Sequence, residues 1–454
     1  MSLITLAQAA KWCGGHVEPK YADVAFLGAN NDSRKIEPGQ LFIALQGERD
    51  GHDYIPAAFE KGAAAVLCSR TVGDYPAIIV ADPRRALGDI ARQERKRIGM
   101  KVVGVTGSVG KSTTKEMIAC ALDGSFRVSK TPANHNNDLG MPMAILAMPE
   151  DTEVAVLEMG MNHFREIAYL ASIACPDVAV IVNIGTMHIE HLGSREGILR
   201  AKMEILEGMR EDGKVILNGD DDMLWGQRNL SHLHFTYFGR TNMDCAITAR
   251  DIRQADGAMG YLAFTNSFHF PVELPVEGMH YISDSLAAIA VGLELGVDAA
   301  ALQERLSGFR NMAGRQEIYE KNGYTIIDDC YNAGPESMGA ALQVLGSKPG
   351  RRIAVLGDML ELGVCSQAEH YRVGRIAAEN AERLFAYGPH AKRMLGGAVT
   401  GGMGDGRAQA FEDREALIRA LRATAKPGDV LLFKGSRGMH MELALEGFLK
   451  DTEE

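Results

Sequence analysis

Short, largely apolar runs recur along the chain and end on glycine, amide or carboxylate residues. Residues 102–105, 154–159, 177–184 and 214–217 are of this kind. Runs of that length bounded by turn residues predict buried strands. The segments from Lys111 onward, 194–209 and 280–295 carry helical patterns. From residue 324 the alternation becomes regular. Strands at 324–328, 353–356, 384–387 and 430–433 are separated by helices that include 335–345 and 367–381, and a last helix follows. Such alternation predicts a parallel, doubly wound sheet of about 140 residues.

Two stretches differ from this pattern. Residues 235–270 alternate apolar and polar positions around Asp256-Gly257, which predicts antiparallel hairpins. Residues 1–98 predict a smaller α/β unit. Its helix at 6–12 opens on Thr5, with Gln8 at capping-box spacing, and stops at Gly14-Gly15. A strand at 41–45, a helix at 57–61 ended by Gly62 and a strand at 63–67 follow. Residues 307–314 (SGFRNMAG) relax into a linker, and Arg315 opens a new unit. The chain is therefore expected to divide at 1–98, 99–312 and 313–454, in line with roughly 150 residues per domain.

Composition narrows the function classes. An apolar content of 46% gives ample core. A net charge of −11 argues against nucleic acid as a partner, so an anionic ligand must be met by local Lys and Arg. The seven cysteines form no C-x-x-C pair and fit reduced, buried thiols. No apolar run reaches the ~18 residues of a membrane span, and the N-terminus lacks the features of a signal peptide. A cytoplasmic protein without membrane insertion is expected.

The candidate chemistry begins at Gly104-Val105-Thr106-Gly107-Ser108-Val109-Gly110-Lys111-Ser112-Thr113, a glycine-rich turn between a predicted strand and a predicted helix. Freed backbone N–H groups, the helix dipole and the Lys111 ammonium converge there on a phosphate, and Ser112 or Thr113 can ligate Mg²⁺. Val105 stands where the strict motif has its first glycine. Glu158 ends the next apolar run, where a second metal ligand of a phosphate-loop site belongs, and a buried carboxylate needs a partner. His188 follows a further strand end and is expected to face the same site. Asn134, Asn136 and Asn137 crowd one loop, either as plain loop residues or as uncharged donors and acceptors for a polar substrate. Arg34 reads either as a solvated charge or as a diphosphate contact. Lys202, on a helix, reads by pattern alone as a solvated charge.

Taken in order, TGSVGKSTTKEM (106–117), NHNNDLGMP (134–142), LEMGM (157–161), NIGTMHIEHLGS (183–194), AKMEI (201–205), IDDCYNAGPESM (327–338), VLGDMLELG (355–363) and LFKGSRGMHME (432–442) resemble the Mur ligase family. The resemblance covers nearly the whole chain. Within the family it points to the ligases that append D-alanyl-D-alanine to UDP-N-acetylmuramoyl-tripeptide.

The resemblance implies an ATP-dependent amide ligase of peptidoglycan precursor synthesis that works through an acyl phosphate. The implied fold is α/β in three domains: a small domain for the UDP-substrate, a central P-loop domain with a mainly parallel sheet plus antiparallel hairpins, and a C-terminal Rossmann-like domain for the incoming dipeptide. ATP contacts are expected from Gly107, Ser108, Val109, Gly110, Lys111, Ser112, Thr113, Asn136, Asp329 and Asn332. Lys111, Glu158, His188 and Lys202 are the expected catalytic residues. One or two Mg²⁺ ions are expected on Ser112, Glu158, His188 and Lys202, the lysine as a carbamate derived from CO₂.

The expected substrate contacts are Asp32, Ser33, Arg34 and Gln46 in the first unit, Asn134 and Asn137 in the second, and Arg315, Lys434 and Ser436 in the third. Asp32-Ser33-Arg34 matches the family's uridine-diphosphate segment. A monomer acting on small molecules is expected. One departure stands out: where the family commonly has His-Asn-x-x-Asn, this chain has His280-Tyr281-Ile282-Ser283-Asp284. That helix is therefore left out of the expected adenine contacts. The competing readings are another Mur-type or folylpolyglutamate-synthase-like ligase, and a P-loop ATPase that switches a partner.

Overall fold

A nine-stranded sheet at the centre of the chain positions everything that follows. It belongs to a computed structural model that describes residues 3–229, 235–255 and 257–450. From one edge, Val128–Lys130, Val154–Glu158, Lys101–Thr106, Val178–Ile181, Lys214–Asn218, Phe235–Gly239 and Ile247–Ala255 run parallel. Ala258–Phe264 and His269–Leu274 complete the sheet as antiparallel strands.

Alternate residues of the central strands feed two separate cores, which is why the interior positions of those strands are almost all apolar. Val103, Val105, Val154, Val156, Val178 and Val180 pack on one side, beneath helices Lys111–Leu122 and Met279–Glu294. Val102, Ala155, Leu157, Ala179 and Ile181 face the other side, beneath helix Glu166–Ala174. That second core continues into the first unit through Leu87 and Ile90 of helix Pro83–Ile98, both fully buried. Burying side chains of this size stabilises the junction by ~1.5–3 kcal/mol each.

Register then gathers the chemistry at one edge. Glu158 pairs with Val105, and Thr106 pairs with Ile181, so three neighbouring strands end together. Strand Lys101–Thr106 is where the sheet order reverses, and ligands of open α/β sheets bind at that point, beyond the carboxyl ends of the strands.

The first unit carries a five-stranded sheet in the order His16–Val17, Ala77–Ile79, Ala65–Cys68, Leu41–Ile43, Ala29–Asn30, of which only the first pairing is antiparallel. Its helix Leu6–Cys13 is capped as expected: Thr5 accepts from Gln8 N, and Gly14 closes the helix at φ 68°. The last unit has six strands in the order Glu317–Lys321, Tyr324–Asp329, Val430–Lys434, Arg352–Gly357, Arg383–Tyr387, Ala408–Phe411. All but the first are parallel.

Two expectations need correction. Phe235–Gly239 is not a hairpin arm; it extends the parallel sheet because Tyr237 and Phe238 are buried in opposite cores. The antiparallel hairpin is formed by Ile247–Ala255 and Ala258–Phe264, and Asp256 of the expected turn lies outside the described residues. The last sheet is not wholly parallel, since Glu317–Lys321 adds an antiparallel edge strand. Its charged residues Glu317, Glu320 and Lys321 are exposed, which suits an edge. No helix among the described residues is long and apolar enough to cross a membrane.

Candidate active site

The glycine turn joins strand Lys101–Thr106 to helix Lys111–Leu122, as the pattern requires. Gly110 is the helix N-cap and sits at φ 82°, a conformation that strains any residue with a Cβ. A Cβ on Gly107 would approach Val182 Cβ to 3.0 Å. The turn is held from below by Asn183, whose Oδ1 accepts from Ser108 N at 3.0 Å and Val109 N at 2.9 Å. Lys111 Nζ donates to the carbonyls of Gly107 at 2.8 Å and Ser108 at 3.1 Å. Burial pushes its pKa down from the usual lysine value; Glu158 opposes this, and Arg315 adds to it.

Glu158 is 2% exposed, and its carboxylate is fully engaged. Oε2 accepts from Ser112 Oγ at 2.6 Å and Oε1 from Asn136 Nδ2 at 2.8 Å, while the buried Lys115 ammonium lies 3.9 Å from Oε2. Among the described residues no group of three or more His, Cys, Asp or Glu side chains is arranged to hold a metal ion alone. A Mg²⁺ that arrives with a polyphosphate needs only one or two protein oxygens besides phosphate and water. Ser112 Oγ and Glu158 Oε2, adjacent at the head of the phosphate-loop helix, fit that requirement.

The third unit reaches into the same place. Arg315 donates from Nη2 to Ser112 Oγ at 2.9 Å and lies 4.0 Å over the Tyr331 ring. Lys434 pairs with Asp329 at 2.5 Å and donates to the Asn332 carbonyl at 3.0 Å. Burial raises the Asp329 carboxyl against the opposing pull of Lys434. Glu336 accepts from Thr186 N at 3.1 Å, and His188 Nδ1 pairs with Glu361 at 2.6 Å, so two further contacts link the second and third units. His188 and Glu361 both adopt positive φ, at 63° and 61°. Between these elements lies a cavity of about 1190 Å³, and Lys111, Ser112, Glu158, His188, Arg315 and Lys434 all line it.

Not every expected residue meets there. Ser108, Val109, Gly110, Thr113, Asn136, Asn137, Asp329 and Asn332 also line the cavity, whereas Gly107 and Asn134 do not. Ser436 is buried instead, bridging the Ala333 carbonyl and Leu360 N. Asp32, Ser33, Arg34 and Gln46 sit on the first unit, apart from the cavity. Arg34, 85% exposed, is held by Asp32 through two bonds of 2.9 Å. Lys202 is not the solvated charge its pattern suggests. It is 2% exposed and has neither a hydrogen bond nor a carboxylate within reach among the described residues. Burial first, and Lys111 second, hold its pKa well below the usual lysine value. It is not among the residues that line the cavity.

Residues that sequence reasoning did not assign to the site are Asn183, Arg240 and Tyr331, which line the cavity, as do His280, Tyr281, Ser283 and Asp284 of the helix left out of the expected adenine contacts. Asn183 carried a usable signal, a polar residue just past a strand end, the same signal that marked Glu158.

Residues 24–95 match the Mur ligase family, catalytic domain; residues 105–292 the Mur ligase middle domain; and residues 314–437 the Mur ligase, glutamate ligase domain. A Bacillus subtilis protein named UDP-N-acetylmuramoyl-tripeptide--D-alanyl-D-alanine ligase is 40% identical, with 94% of each chain covered. Its namesake in Escherichia coli is 35% identical over 97% of each. Among solved structures, MurF from Acinetobacter baumannii superposes with a TM-score of 0.91 at 32% identity, covering 99% of this chain and 100% of that one. MurF from Thermotoga maritima in complex with ADP gives 0.81 at 31%, covering 93% and 97%.

Proposed function

The chain belongs to the Mur ligase family, and from that premise we propose that it joins D-alanyl-D-alanine to UDP-N-acetylmuramoyl-tripeptide in peptidoglycan synthesis, driven by ATP. The observation that carries the reading within this molecule is the meeting at Ser112. The phosphate loop, the Glu158 carboxylate and Arg315 of the third unit converge on one hydroxyl. A nucleotide switch would need only the central unit.

The reaction must activate an unreactive carboxylate and keep the product from water. The tripeptide carboxylate attacks the γ-phosphoryl group of ATP, forming an acyl phosphate and releasing ADP. The dipeptide amine then displaces phosphate and forms the amide. Carboxylate and triphosphate are both anions, so their approach requires cations. Lys111 leaves its two carbonyl partners for the β- and γ-phosphates, and Arg315 turns from Ser112 to the transferring group. Mg²⁺, when bound, offsets the remaining phosphate charge; Ser112 and Glu158 would hold it, with His188 freed from Glu361. Asp329 and Asn332 serve the nucleotide, and Lys434 holds Asp329 in place.

Lys202, as a carbamate, would offer the Mg²⁺ ion a further oxygen ligand. Its nitrogen must be neutral to form the N–C bond with CO₂, releasing a proton, and a buried, unpartnered amine beside Lys111 supports that state. The exposed Arg34 and its partner Asp32, with Ser33 and Gln46, take the uridine diphosphate on the first unit. Asn137 lines the substrate path, and Ser436 braces the Ala333 and Leu360 backbone. The enzyme works as a monomer in the cytoplasm.

The test is substrate dependence of ATP turnover. Phosphate release that requires both UDP-N-acetylmuramoyl-tripeptide and D-alanyl-D-alanine supports the ligase. Turnover at full rate with neither present refutes it in favour of a switch ATPase.

A further inference from the structure

The helix Met279–Glu294 brings Asp284 against the head of the phosphate-loop helix, a place where a negative charge competes with the nucleotide. We propose that Asp284 serves the nucleotide site as a neutral carboxylic acid, and that its ionisation weakens nucleotide binding. The inference rests on the nucleotide reading of the phosphate loop and adds a dependence on proton concentration to it.

Geometry carries the argument. Asp284 is 3% exposed, and Oδ1 lies 2.7 Å from Thr114 Oγ1. Thr114 Oγ1 in turn lies 3.0 Å from the Gly110 carbonyl. A Cβ on Gly110 would come within 3.2 Å of the same Asp284 oxygen, so the carboxyl abuts the N-cap of the helix. As an anion, Asp284 would have a single neutral donor, a hydroxyl proton shared with a carbonyl. As an acid it donates to Thr114, which is then free to donate to Gly110. A buried carboxylate without a cation or backbone N–H partner is costly, and protonation removes that cost. Burial accordingly pushes its pKa up to about 7, with the Thr114 hydroxyl opposing.

The neighbouring charges do not supply the missing partner. On the facing helix, Lys111 is turned to the Gly107 and Ser108 carbonyls, and Lys115 to Thr131 O, Glu116 and Glu158. On its own helix, burial holds His280 down to about 4, so it is neutral, and the Tyr281 hydroxyl accepts from Asn311. Tyr261, from the sheet beneath, bonds Ser285. Of the groups at the ends of neighbouring elements, Asp220 accepts from the backbone N–H groups of Arg240, Thr241 and Asn242. Arg315 is held at Ser112, and Lys434 at Asp329. None hydrogen-bonds Asp284. The helix N-terminus favours an anion, and the nucleotide phosphates are the anion to be seated there.

The sign follows from linkage. Nucleotide binds the form with Asp284 protonated, so affinity holds below the pKa and falls above it, by up to tenfold per pH unit. The experiment is calorimetric titration of the full-length protein with Mg-ADP between about pH 6 and pH 8.5, for the wild type and for Asp284→Asn. The Kd ratio of wild type to variant cancels the titration of Lys111 and of the nucleotide itself. It is expected to rise about tenfold or more across that range. A ratio that stays constant overturns the inference while leaving the nucleotide site standing. Absence of binding by both proteins at every pH overturns the nucleotide reading, and this one with it. Asp284→Ser, uncharged and smaller, repeats the comparison should the amide fail to fold, and must flatten the profile in the same way.

Discussion

Replacing Lys202 separates stability from function. The residue is 2% exposed, its amine has no partner among the described residues, and the cation Lys111 lies near enough to add to its depressed pKa. Lys202→Met keeps the aliphatic stem, fills the same space and removes the need to bury or neutralise a charge. Exchanging a buried ion pair for apolar side chains of similar size gains ~1–4 kcal/mol, and a lone lysine held neutral by burial belongs at the lower end, about 1 kcal/mol. In a domain of this size, each kcal/mol moves the midpoint by ~2–4 °C, so unfolding should shift up by about 3 °C. The measurement is thermal unfolding of both proteins in CO₂-depleted buffer at neutral pH.

Ligation should move the opposite way, falling ~100-fold or more, the scale for losing one charge-stabilising group at a transferring phosphoryl. Lys202→Ala should lose activity as well, and small carboxylates such as acetate or formate, filling the vacated space, should restore part of it. Sodium chloride at equal ionic strength should not. A Lys202→Met protein that unfolds below the wild type would refute the buried-charge argument. Full activity in either variant, or rescue by chloride as strong as by acetate, would refute the carbamate role.

Two further outcomes are expected. Lys111→Ala and Glu158→Gln should each keep the fold by circular dichroism and lose ~100- to 1000-fold in kcat, because each removes charge from the phosphoryl site; near-normal turnover in either would remove the phosphate-loop assignment. Arg34→Ala should raise KM for the UDP-substrate about tenfold or more with kcat and Tm little changed, since its exposed pair with Asp32 contributes little to stability; an unchanged KM would take the diphosphate contact away.

The legibility of this chain follows burial. Strands such as Val154–Glu158 and Val178–Ile181 were plain in the sequence because both faces are buried and every position before the terminal Glu158 is apolar. Glu317–Lys321 was missed because an exposed edge strand keeps its charges outward and resembles a loop. Helix Ala299–Ser307, capped by Asp298, was overlooked because only Leu302 and Leu306 are buried. At the site, the residues that local motifs singled out, Lys111, Ser112 and Glu158, line one cavity. The contacts that depend on chain-distant packing were not readable: Arg315 on Ser112, Glu361 on His188 and Asp284 on Thr114. Lys202 was misjudged by its pattern for the same reason, since nothing in a helical AKMEI run announces burial.

The central claim is that the acid substrate, not water, attacks ATP, and isotope transfer tests it most directly. With both oxygens of the tripeptide's terminal carboxylate labelled with ¹⁸O, turnover in the presence of D-alanyl-D-alanine should place one label in the released phosphate and leave the other in the new amide carbonyl. Mass spectrometry of the phosphate reads this outcome. Phosphate without label, formed at the full rate of ligation, would contradict the acyl-phosphate route.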